Sequence, residues 1–526
     1  MPNTTSPYTR ADAAIAVILA VITLLLSVGL LDSDQPTGSD DFAAYMSEGI
    51  AIAEGRLNEQ TQLNALLHPS TRSFRADDGQ SADDPIVYVW GLPLILAGVY
   101  RIAGFDRPTG YALIWYKLPG VFFLAMAAVC AYLLYRRRFS KVVSALLTGL
   151  LCWGGEVVKD SARITTDIPC LAVSLLALLM IEVLLAAQTR RGQALAGVVL
   201  GIALWFDCVV RLNGKTVLYM ALLAHVIGLA QNRVRGRKLL VHLLPYLVAG
   251  ALWMIGCMLF PQATSNTKDI ASGPNRMIAQ NMGYYEMIMG QWFNAMLPYG
   301  LFMLTDAAHY AVYALAILGM LTDGIRRNLH LTALVLGSFA VLYLLPYVQS
   351  VRYLYNALPF ILMFAAYGAR RVMRLAKRKS VQRALYVLGC CALAFLTFGT
   401  LQKTMTAERE HALAGGFSAR SETYSDDAAD MFGYILSDTA EDAVIAYYKP
   451  RALYLNTNRV SFQPTVNGHD VYDAQYLLMT NEPGDISQME IDAALAERLE
   501  TVYGNKTYTL YRIWRETERR KAECTK

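Results

Sequence analysis

The chain has 526 residues, of which 55% are hydrophobic and 17% are charged, and its mean hydropathy is +0.32. The apolar residues form long runs rather than alternating stripes, which excludes a soluble multidomain protein and indicates an α-helical polytopic membrane protein with a polar tail. The net charge of +5 says little about partners, because in membrane proteins the placement of basic residues matters more than their sum. We expect membrane lipids around the chain and no nucleic-acid partner.

The apolar runs divide the chain into membrane spans. The first run, Ala11 to Leu31, has no small-residue cleavage site before the acidic loop that follows. It is therefore predicted to be a retained span rather than a cleaved signal peptide. Further spans are expected at Trp115–Tyr135, Val142–Val157, Ile168–Ala187, Leu195–Val210, Thr216–Ala230, Val241–Phe260, Met296–Leu321, Leu331–Val348, Tyr353–Val372 and Leu385–Leu401.

A polar loop, Asp32 to Gly110, follows the first span and contains an apolar segment at 85–104. If this segment does not cross the membrane, Arg10 and all the basic clusters lie on one side; if it crosses, Arg10 lies opposite the clusters. The positive-inside rule favours the first arrangement, with about eleven spans, a cytoplasmic N-terminus and an external C-terminus. Segment 85–104 is then an interfacial helix. The clusters are Arg136–Arg138, Arg190–Arg191, Arg233–Lys238, Arg326–Arg327 and Arg370–Lys379.

The composition becomes polar at about Lys403. The pattern predicts a transmembrane domain over 1–402, which includes the external loop 32–111 with its interfacial helices, and a small external α/β domain over 403–526. Within the tail, the expected elements are a helix at Asp426–Leu436, strands at Ala443–Tyr448 and Tyr476–Met479, a capping box at Ser487–Glu490 that opens a helix, and a β-hairpin over Thr501–Tyr511.

Two adjacent carboxylates, Asp40 and Asp41, stand where the first loop begins a helical pattern. This pattern places Asp41 and Tyr45 on one face, because residues four apart are neighbours on a helix. One interpretation makes one of the two aspartates the base of a reaction at the membrane surface. In the other, Ser39 or Asp40 is the N-cap of a short surface helix, whose dipole favours a carboxylate at Asp41.

Other charged residues lie at the ends of predicted spans on the same external face. Ionisable groups at membrane depth indicate a functional site by default, and a planar guanidinium suits phosphate. Snorkelling and interfacial anchoring are the alternatives for residues at span ends. The residues are Arg163 and Asp167 in the turn 158–167, Arg211 and Lys215 near one hairpin, and Arg352 and Tyr353 before a late span.

Four sequence motifs, in their order along the chain, resemble the GT-C superfamily of membrane glycosyltransferases, in particular the branch of protein O-mannosyltransferases and lipid A aminoarabinose transferases. Sequence segments in the tail, Val502–Asn505 and Leu510–Ile513, are also similar to tails of that family. The four motifs are Asp41-x-x-x-Tyr45 with its small-residue helix, the interfacial segment Pro85–Gly104, the span ending in Tyr135–Arg138 with the turn Asp167–Pro169, and Arg352-Tyr353 with Leu358-Pro359.

Two positions depart from the family pattern. Asp40-Asp41 stands where relatives often carry Asp-Glu, which leaves open which carboxylate is the base. Asp84-Pro85-Ile86 stands where many relatives have Lys-Pro-Pro or Tyr-Pro-Pro, which removes a phosphate contact.

The resemblance implies an inverting glycosyltransferase that moves a hexosyl or pentosyl group from a polyprenyl-phosphate donor to a protein, lipid or glycan acceptor of the cell envelope. A multi-pass protein of the plasma membrane would carry out this reaction on the external face. Asp41, with Asp40 as second choice, would take the acceptor proton. Cations would stabilise the leaving phosphate, with Arg352 the first candidate and Arg211, Lys215 and Arg163 the others.

Asp167 would orient the acceptor or the donor sugar, or share a divalent metal with Asp41; relatives differ on the metal. Tyr45 and Tyr353 are the further expected substrate contacts. The rival class is a transporter or flippase of a lipid-linked or small polar substrate, whose ionisable residues would lie near the membrane midplane. A non-catalytic assembly factor of the same fold is the third reading.

Overall fold

The computed structural model describes residues 8–35, 41–67, 89–104, 111–211, 214–231, 238–260, 278–297, 305–344, 350–420, 423–464, 469–481, 491 and 493–515. Contacts divide the chain into two compact units. The membrane unit comprises Met1–Leu31, Lys117–Leu259 and Ser265–Gly416, and the loop–tail unit comprises Asp32–Tyr116, Phe260–Thr264 and Phe417–Lys526. The domain boundaries expected from the sequence, at 402 and 403, stay a prediction.

Helices account for most of the described chain before the tail. They are α1 (Arg10–Val28), α2 (Asp41–Glu54), α3 (Leu57–Leu67), α4 (Gly91–Ala103), α5 (Tyr111–Arg136), α6 (Lys141–Cys152), α7 (Gly155–Ser161), α8 (Asp167–Ala186), α9 (Arg190–Val210), α10 (Lys215–Ala230), α11 (Lys238–Leu259), α12 (Ile278–Met296), α13 (Thr305–Gly319), α14 (Leu329–Leu344), α15 (Leu358–Met373) and α16 (Lys379–Leu413). A π-helical turn, Met320–Gly324, and a last turn, Ile325–Arg327, extend α13, and a 3-10 turn, Val351–Leu354, precedes α15.

The polytopic helical architecture expected from the sequence is confirmed. In the described part of the chain, seven helices are long and apolar enough to cross a membrane, and the pair α6 and α7 is bent by 64°. The shorter helices α10, α14 and α15 coincide with the remaining predicted spans. The span predicted over Met296–Leu321 corresponds to α13, whereas Met296 itself is the last residue of α12.

Ion pairs join several helices at one end of the membrane unit. Arg136 Nε lies 2.7 Å from Asp12 Oδ1, which also accepts a hydrogen bond of 3.0 Å from the Tyr132 hydroxyl. Arg138 pairs with Glu182 near the end of α8. Removal of one partner from such a partly buried pair destabilises the protein, because it leaves an uncompensated charge. We refer to this end, which carries Arg136, Arg138 and Glu182, as the basic end of the membrane unit.

The loop–tail unit contains α2 to α4 and a small mixed sheet. The tail elements are α17 (Asp426–Asp438), β1 (Val444–Ala446), α18 (Pro450–Thr457), β2 (Val460–Phe462), β3 (Tyr476–Thr480), α19 (Ala493–Ala496), β4 (Leu499–Gly504) and β5 (Tyr508–Ile513). The described strands form one sheet in the order β2–β1–β3–β5–β4. β1 is parallel to β2 and β3, and β5 is antiparallel to β3 and β4.

The expected α/β tail is therefore confirmed, including its helix after Ser425 and its closing hairpin. The sequence does not predict α18 and β2, because elements of eight and three residues are too short to show a clear periodicity. The predicted capping box at Ser487–Glu490 lies outside the described residues. Met431, Ile435, Leu453, Leu478 and Leu510 belong to one buried cluster that ties α17 and α18 to the sheet.

Two glycines allow α13 and α15 to approach each other closely. A Cβ atom at Gly319 would overlap the main-chain carbonyl of Phe364, and one at Gly368 would overlap that of Leu315. Small residues at such crossings let two helix backbones come into direct contact within a membrane protein. Close approach, rather than unusual backbone angles, therefore requires glycine at these positions.

We expect Gly368→Ala to destabilise the protein by about 1–3 kcal/mol, because the added methyl group forces α13 and α15 apart. The matched control is Gly337→Ala in α14, where an added Cβ would meet no atom within 4 Å. Alanine favours a helix over glycine by about 1 kcal/mol, so the control variant should be as stable as the parent or more stable. Thermal unfolding of both variants in the same detergent, followed by tryptophan fluorescence, measures the difference. Equal melting temperatures would contradict the packing argument.

Candidate functional site

One buried carboxylate in the membrane unit contacts two arginines. Asp167 is the first residue of α8 and is buried. Its Oδ1 atom pairs with Arg211, and its Oδ2 atom lies 3.4 Å from Arg352 Nη1. The structure thus brings together three of the candidate residues, which come from distant parts of the chain. We refer to Asp167, Arg211 and Arg352 as the charged triad.

Local structure explains why these three side chains lie at helix ends. A carboxylate is favourable at the N-terminus of α8, and Pro169 is tolerated in its first turn. Arg211 directly follows the last residue of α9, where a cation is favourable at a helix C-terminus. Arg352 lies in the 3-10 turn before α15, and its Nε donates a hydrogen bond of 3.2 Å to Ser350 Oγ.

An aromatic side chain adds to the charged triad. The Arg211 guanidinium lies over the ring of Tyr353, 4.9 Å from its centroid. A cation over an aromatic face is attracted by the ring quadrupole, so Tyr353 helps to fix the orientation of Arg211. Arg211 Nη1 also lies 3.4 Å from Thr166 Oγ1. The candidate residue Tyr353 therefore contacts the triad through Arg211.

A second acidic residue lies near the triad but has different partners. Asp160 is buried near the end of α7. It accepts a hydrogen bond of 2.6 Å from the Tyr355 hydroxyl, and Arg163 Nη1 lies 3.2 Å from its Oδ1 atom. The candidate residue Arg163 thus contacts Asp160, which precedes it by three residues in the chain. Nothing in the sequence singles out Asp160 as the partner of Arg163.

A layer of polar side chains joins α8 to α9 about one helical turn away from the charged triad. Asp207 is fully buried and accepts hydrogen bonds of 2.8 Å from Ser174 Oγ and 3.3 Å from Cys170 Sγ. Asn356 Nδ2 lies 3.5 Å from the same Cys170 sulfur. Since Asp207 precedes Arg211 by one helical turn, this layer supports the part of α9 from which Arg211 extends.

In the loop–tail unit, Asp41 forms an ion pair with a residue of the tail. Asp41 is the first residue of α2, and its Oδ1 atom lies 2.7 Å from Arg451 Nη1 in α18. The side chain of Asp41 is 48% exposed, whereas that of Arg451 is only 5% exposed. The buried guanidinium therefore holds a carboxylate that solvent can reach. Arg451 could not be found from the sequence, because no motif marks the short helix α18.

Contacts with α4 fix the orientation of α2. A Cβ atom at Gly49 would lie 2.9 Å from the main-chain oxygen of Pro93, so glycine allows the two helices to touch. At the other end of α2, the Tyr100 hydroxyl donates a hydrogen bond of 2.7 Å to Glu54. Burial opposes the charged form of Glu54, but the hydrogen bonds from Tyr100 and Arg56 outweigh it and lower the pKa of this carboxyl.

A buried polar chain lies along the same helix. Glu48 is buried and accepts a hydrogen bond of 2.8 Å from Asn64 Nδ2, whose side-chain oxygen accepts one of 3.0 Å from Gln60. Glu48 follows Asp41 by seven residues, so both lie on one face of α2 together with Tyr45. The signal that could have identified Glu48 is this spacing, which extends the Asp41-x-x-x-Tyr45 pattern by one turn.

The remaining candidates have less informative surroundings. Asp40 lies outside the described residues. Lys215 is the first residue of α10 and is partly buried. Tyr45 is partly buried on α2. The roles predicted for all these residues stay predictions.

The charged triad is better suited to an anion than to a metal ion. Among the described residues, no three His, Cys, Asp or Glu side chains come close enough together to hold a metal. Both carboxylate oxygens of Asp167 contact guanidinium groups, whereas a divalent cation is bound by several oxygen ligands. Two arginines that converge on one carboxylate instead provide donors that an incoming phosphate could share.

Comparisons with known proteins give matches at the level of structure. No family model and no curated protein sequence matches the chain. The structure of ArnT from Cupriavidus metallidurans bound to undecaprenyl phosphate superposes with a TM-score of 0.53 at 12% identity, over 96% of this chain and 98% of that chain. The apo form of ArnT gives a TM-score of 0.55 at 11% identity, over 95% and 98%.

A second solved protein has the same architecture. The archaeal oligosaccharyltransferase AglB from Archaeoglobus fulgidus, in complex with an inhibitory peptide and a dolichol-phosphate, gives a TM-score of 0.56 at 12% identity. The match covers 90% of this chain and 70% of AglB. ArnT and AglB are both GT-C superfamily glycosyltransferases. The resemblance predicted from the sequence is confirmed at the level of fold, and the chain has the GT-C fold.

Proposed function

We propose that the protein is an inverting glycosyltransferase that moves a hexosyl or pentosyl group from a polyprenyl-phosphate donor to an acceptor in the cell envelope. The observation that carries this proposal is the charged triad, in which two arginines converge at one end of a bundle of membrane spans. A donor with a long isoprenoid chain stays in the bilayer, so its phosphate lies at the membrane surface and must be bound at the end of the spans. The GT-C fold supports the same reaction type.

In this proposal, Arg352 and Arg211 bind the phosphate that leaves when the glycosidic bond breaks. Negative charge grows on that phosphate in the transition state, and fixed guanidinium groups stabilise it without reorganisation. Asp167 keeps the two cations in place and lowers the repulsion between them. Lys215 and Arg163 are further candidates for contact with the donor, and Tyr353 acts by holding Arg211.

We assign the role of general base to Asp41, with Asp40 as the second choice. A sugar or protein hydroxyl is a poor nucleophile, so a positioned carboxylate must accept its proton as the new bond forms. The half-exposed carboxylate of Asp41 is accessible to an acceptor, and its ion pair with Arg451 fixes its orientation. Tyr45, one turn further along α2, is the proposed acceptor contact on the same face.

The proposal places the reaction on the external face of the plasma membrane. The positive-inside rule supports this sidedness, because the basic clusters among the described residues lie at the opposite ends of the spans. The distribution of charge also favours transfer over transport. A transporter would hold its ionisable groups near the membrane midplane, whereas the charged triad is built from residues at the ends of α8 and α9 and before α15.

We expect Asp41→Asn to lower sugar transfer by about 10²–10⁴-fold, because the amide cannot accept the acceptor proton. The amide oxygen can still accept a hydrogen bond from Arg451, so folding should be intact. Transfer from a panel of radiolabelled polyprenyl-phosphate hexoses and pentoses into membranes that contain the variant measures the effect. The matched control is Asp426→Asn, another aspartate at the first position of a helix in the same unit. Full activity of Asp41→Asn would remove Asp41 as the base. If Asp40→Asn is also fully active, the transfer measured in these membranes does not need either carboxylate, as expected of a non-catalytic assembly factor.

We expect Arg352→Gln to lower the rate of transfer by about 10²–10³-fold, through kcat more than through KM, because its positive charge acts mainly on the leaving phosphate. The control is Arg371→Gln, an exposed arginine on α15. Steady-state kinetics with the active donor from the same panel separate the two constants. A variant that loses only donor affinity would show that Arg352 binds the ground state without stabilising the transition state.

A further inference from the structure

A cavity in the membrane unit lies away from the charged triad. Its volume is about 720 Å³, within the range of roughly 300–1,000 Å³ that is typical of ligand pockets. Most of its wall is apolar and comes from four helices. The wall residues include Leu147 and Leu150 of α6, Val312 and Leu315 of α13, Leu362 of α15 and Leu396 of α16.

Small residues create the space in this cavity. Ala365, Ala366 and Ala369 line it from α15, and Gly389 and Ala392 line it from α16. Larger side chains at these positions would allow α15 and α16 to close the gap with apolar contacts. These small residues therefore leave a cavity between closely packed helices. An apolar cavity of this size in a membrane protein suits a lipid chain.

Polar groups line only one end of the cavity. Arg370 and Arg374 come from the C-terminal end of α15, and the hydroxyls of Ser140 and Tyr386 lie 2.8 Å apart at the same end. Arg138 also lines this end but is paired with Glu182. Among the described residues, no carboxylate forms an ion pair with Arg370 or Arg374, so this end carries uncompensated positive charge.

The charged end of the cavity is remote from the charged triad. α15 begins just after the turn that holds Arg352 and ends at Met373. Its 16 residues rise by about 24 Å at 1.5 Å per residue, and this distance separates the two groups of arginines. The cavity therefore opens its polar end at the basic end of the membrane unit, and a donor whose phosphate lies against Arg352 does not fill it.

We propose that the cavity binds an acyl chain of an anionic phospholipid, with the lipid phosphate between Arg370 and Arg374. The apolar wall along α15, from Leu362 to Met373, is about 16 Å long, which suits an acyl chain parallel to the spans. The positive-inside rule predicts that the basic end faces the cytoplasmic leaflet, where anionic lipids are concentrated and where basic pockets between spans bind their head groups. The inference rests on this cavity and not on the proposed transfer reaction.

Native mass spectrometry of the purified, delipidated full chain tests the proposal. Phosphatidylglycerol and phosphatidylcholine with identical acyl chains are titrated separately, and the bound fraction is measured. We expect tighter binding of phosphatidylglycerol, and a loss of about fivefold in its affinity for each arginine replaced in Arg370→Gln/Arg374→Gln. The matched control is Arg371→Gln/Lys377→Gln, two exposed residues of the same segment that do not line the cavity.

A second pair of variants tests the apolar part. Ala366→Trp fills the cavity and should lower phosphatidylglycerol binding, whereas Leu388→Trp, at a residue of α16 that is 65% exposed and outside the cavity, should not. The double variant Arg370→Gln/Arg374→Gln adds no bulk to the cavity, so it tests the site independently of any loss of stability in Ala366→Trp. Equal binding of the two lipids, or an equal loss in the Arg371/Lys377 control, would overturn the proposal. Displacement of phosphatidylglycerol by an equimolar polyprenyl phosphate would assign the cavity to that lipid instead.

Discussion

The arrangement of spans in the membrane unit depends on the contact of the Asp167 carboxylate with Arg211 and Arg352. Breaking a buried ion pair from one side costs about 3–5 kcal/mol, because it leaves an uncompensated charge. The contact joins the start of α8, the end of α9 and the turn before α15. The burial of apolar surface is by itself non-directional and leaves neighbouring helices some freedom to slide or rotate. The charged triad removes this freedom, because its three side chains meet only in one register.

α8 is the span through which this constraint reaches the other end of the unit. Among the candidate spans it has the largest buried share, 72% compared with 33% for α1. It carries Asp167 at its first residue and Glu182 near its last, where Glu182 pairs with Arg137 and Arg138. The central span is thus held by ion pairs at both ends, and its apolar middle packs against its neighbours. The charges of α8 thus lie at its ends and not in its middle, as expected from the high free energy of a charge at membrane depth.

The individual members of the triad could be predicted from the sequence, but their contacts could not. Asp167, Arg211 and Arg352 are isolated charges at the ends of apolar runs, so each is visible as an exception to its surroundings. Which of them pair depends on the packing of spans that are far apart in the chain, and a single sequence holds no information on it. Arg163 illustrates this. It is an arginine only four residues before Asp167 in the chain, yet it pairs with Asp160 and not with Asp167. Arg451 carried no signal at all, since it lies in a short helix of the tail and its partner Asp41 is 410 residues away.

The Asp41–Arg451 pair shows why the first loop and the tail belong to one compact unit. In the proposed role of general base, Asp41 must be accessible to its acceptor and must also keep a fixed orientation, because misplacement of a reacting group slows a reaction steeply. A carboxylate on α2 alone would rotate freely at the helix end. Arg451, buried among the tail residues, meets the requirement for orientation, while the 48% exposure of Asp41 meets the requirement for access. Since α2 is fixed on its other side by the Gly49–Pro93 contact, the carboxylate is held from both sides, and the tail is as much a part of its environment as the loop that carries it.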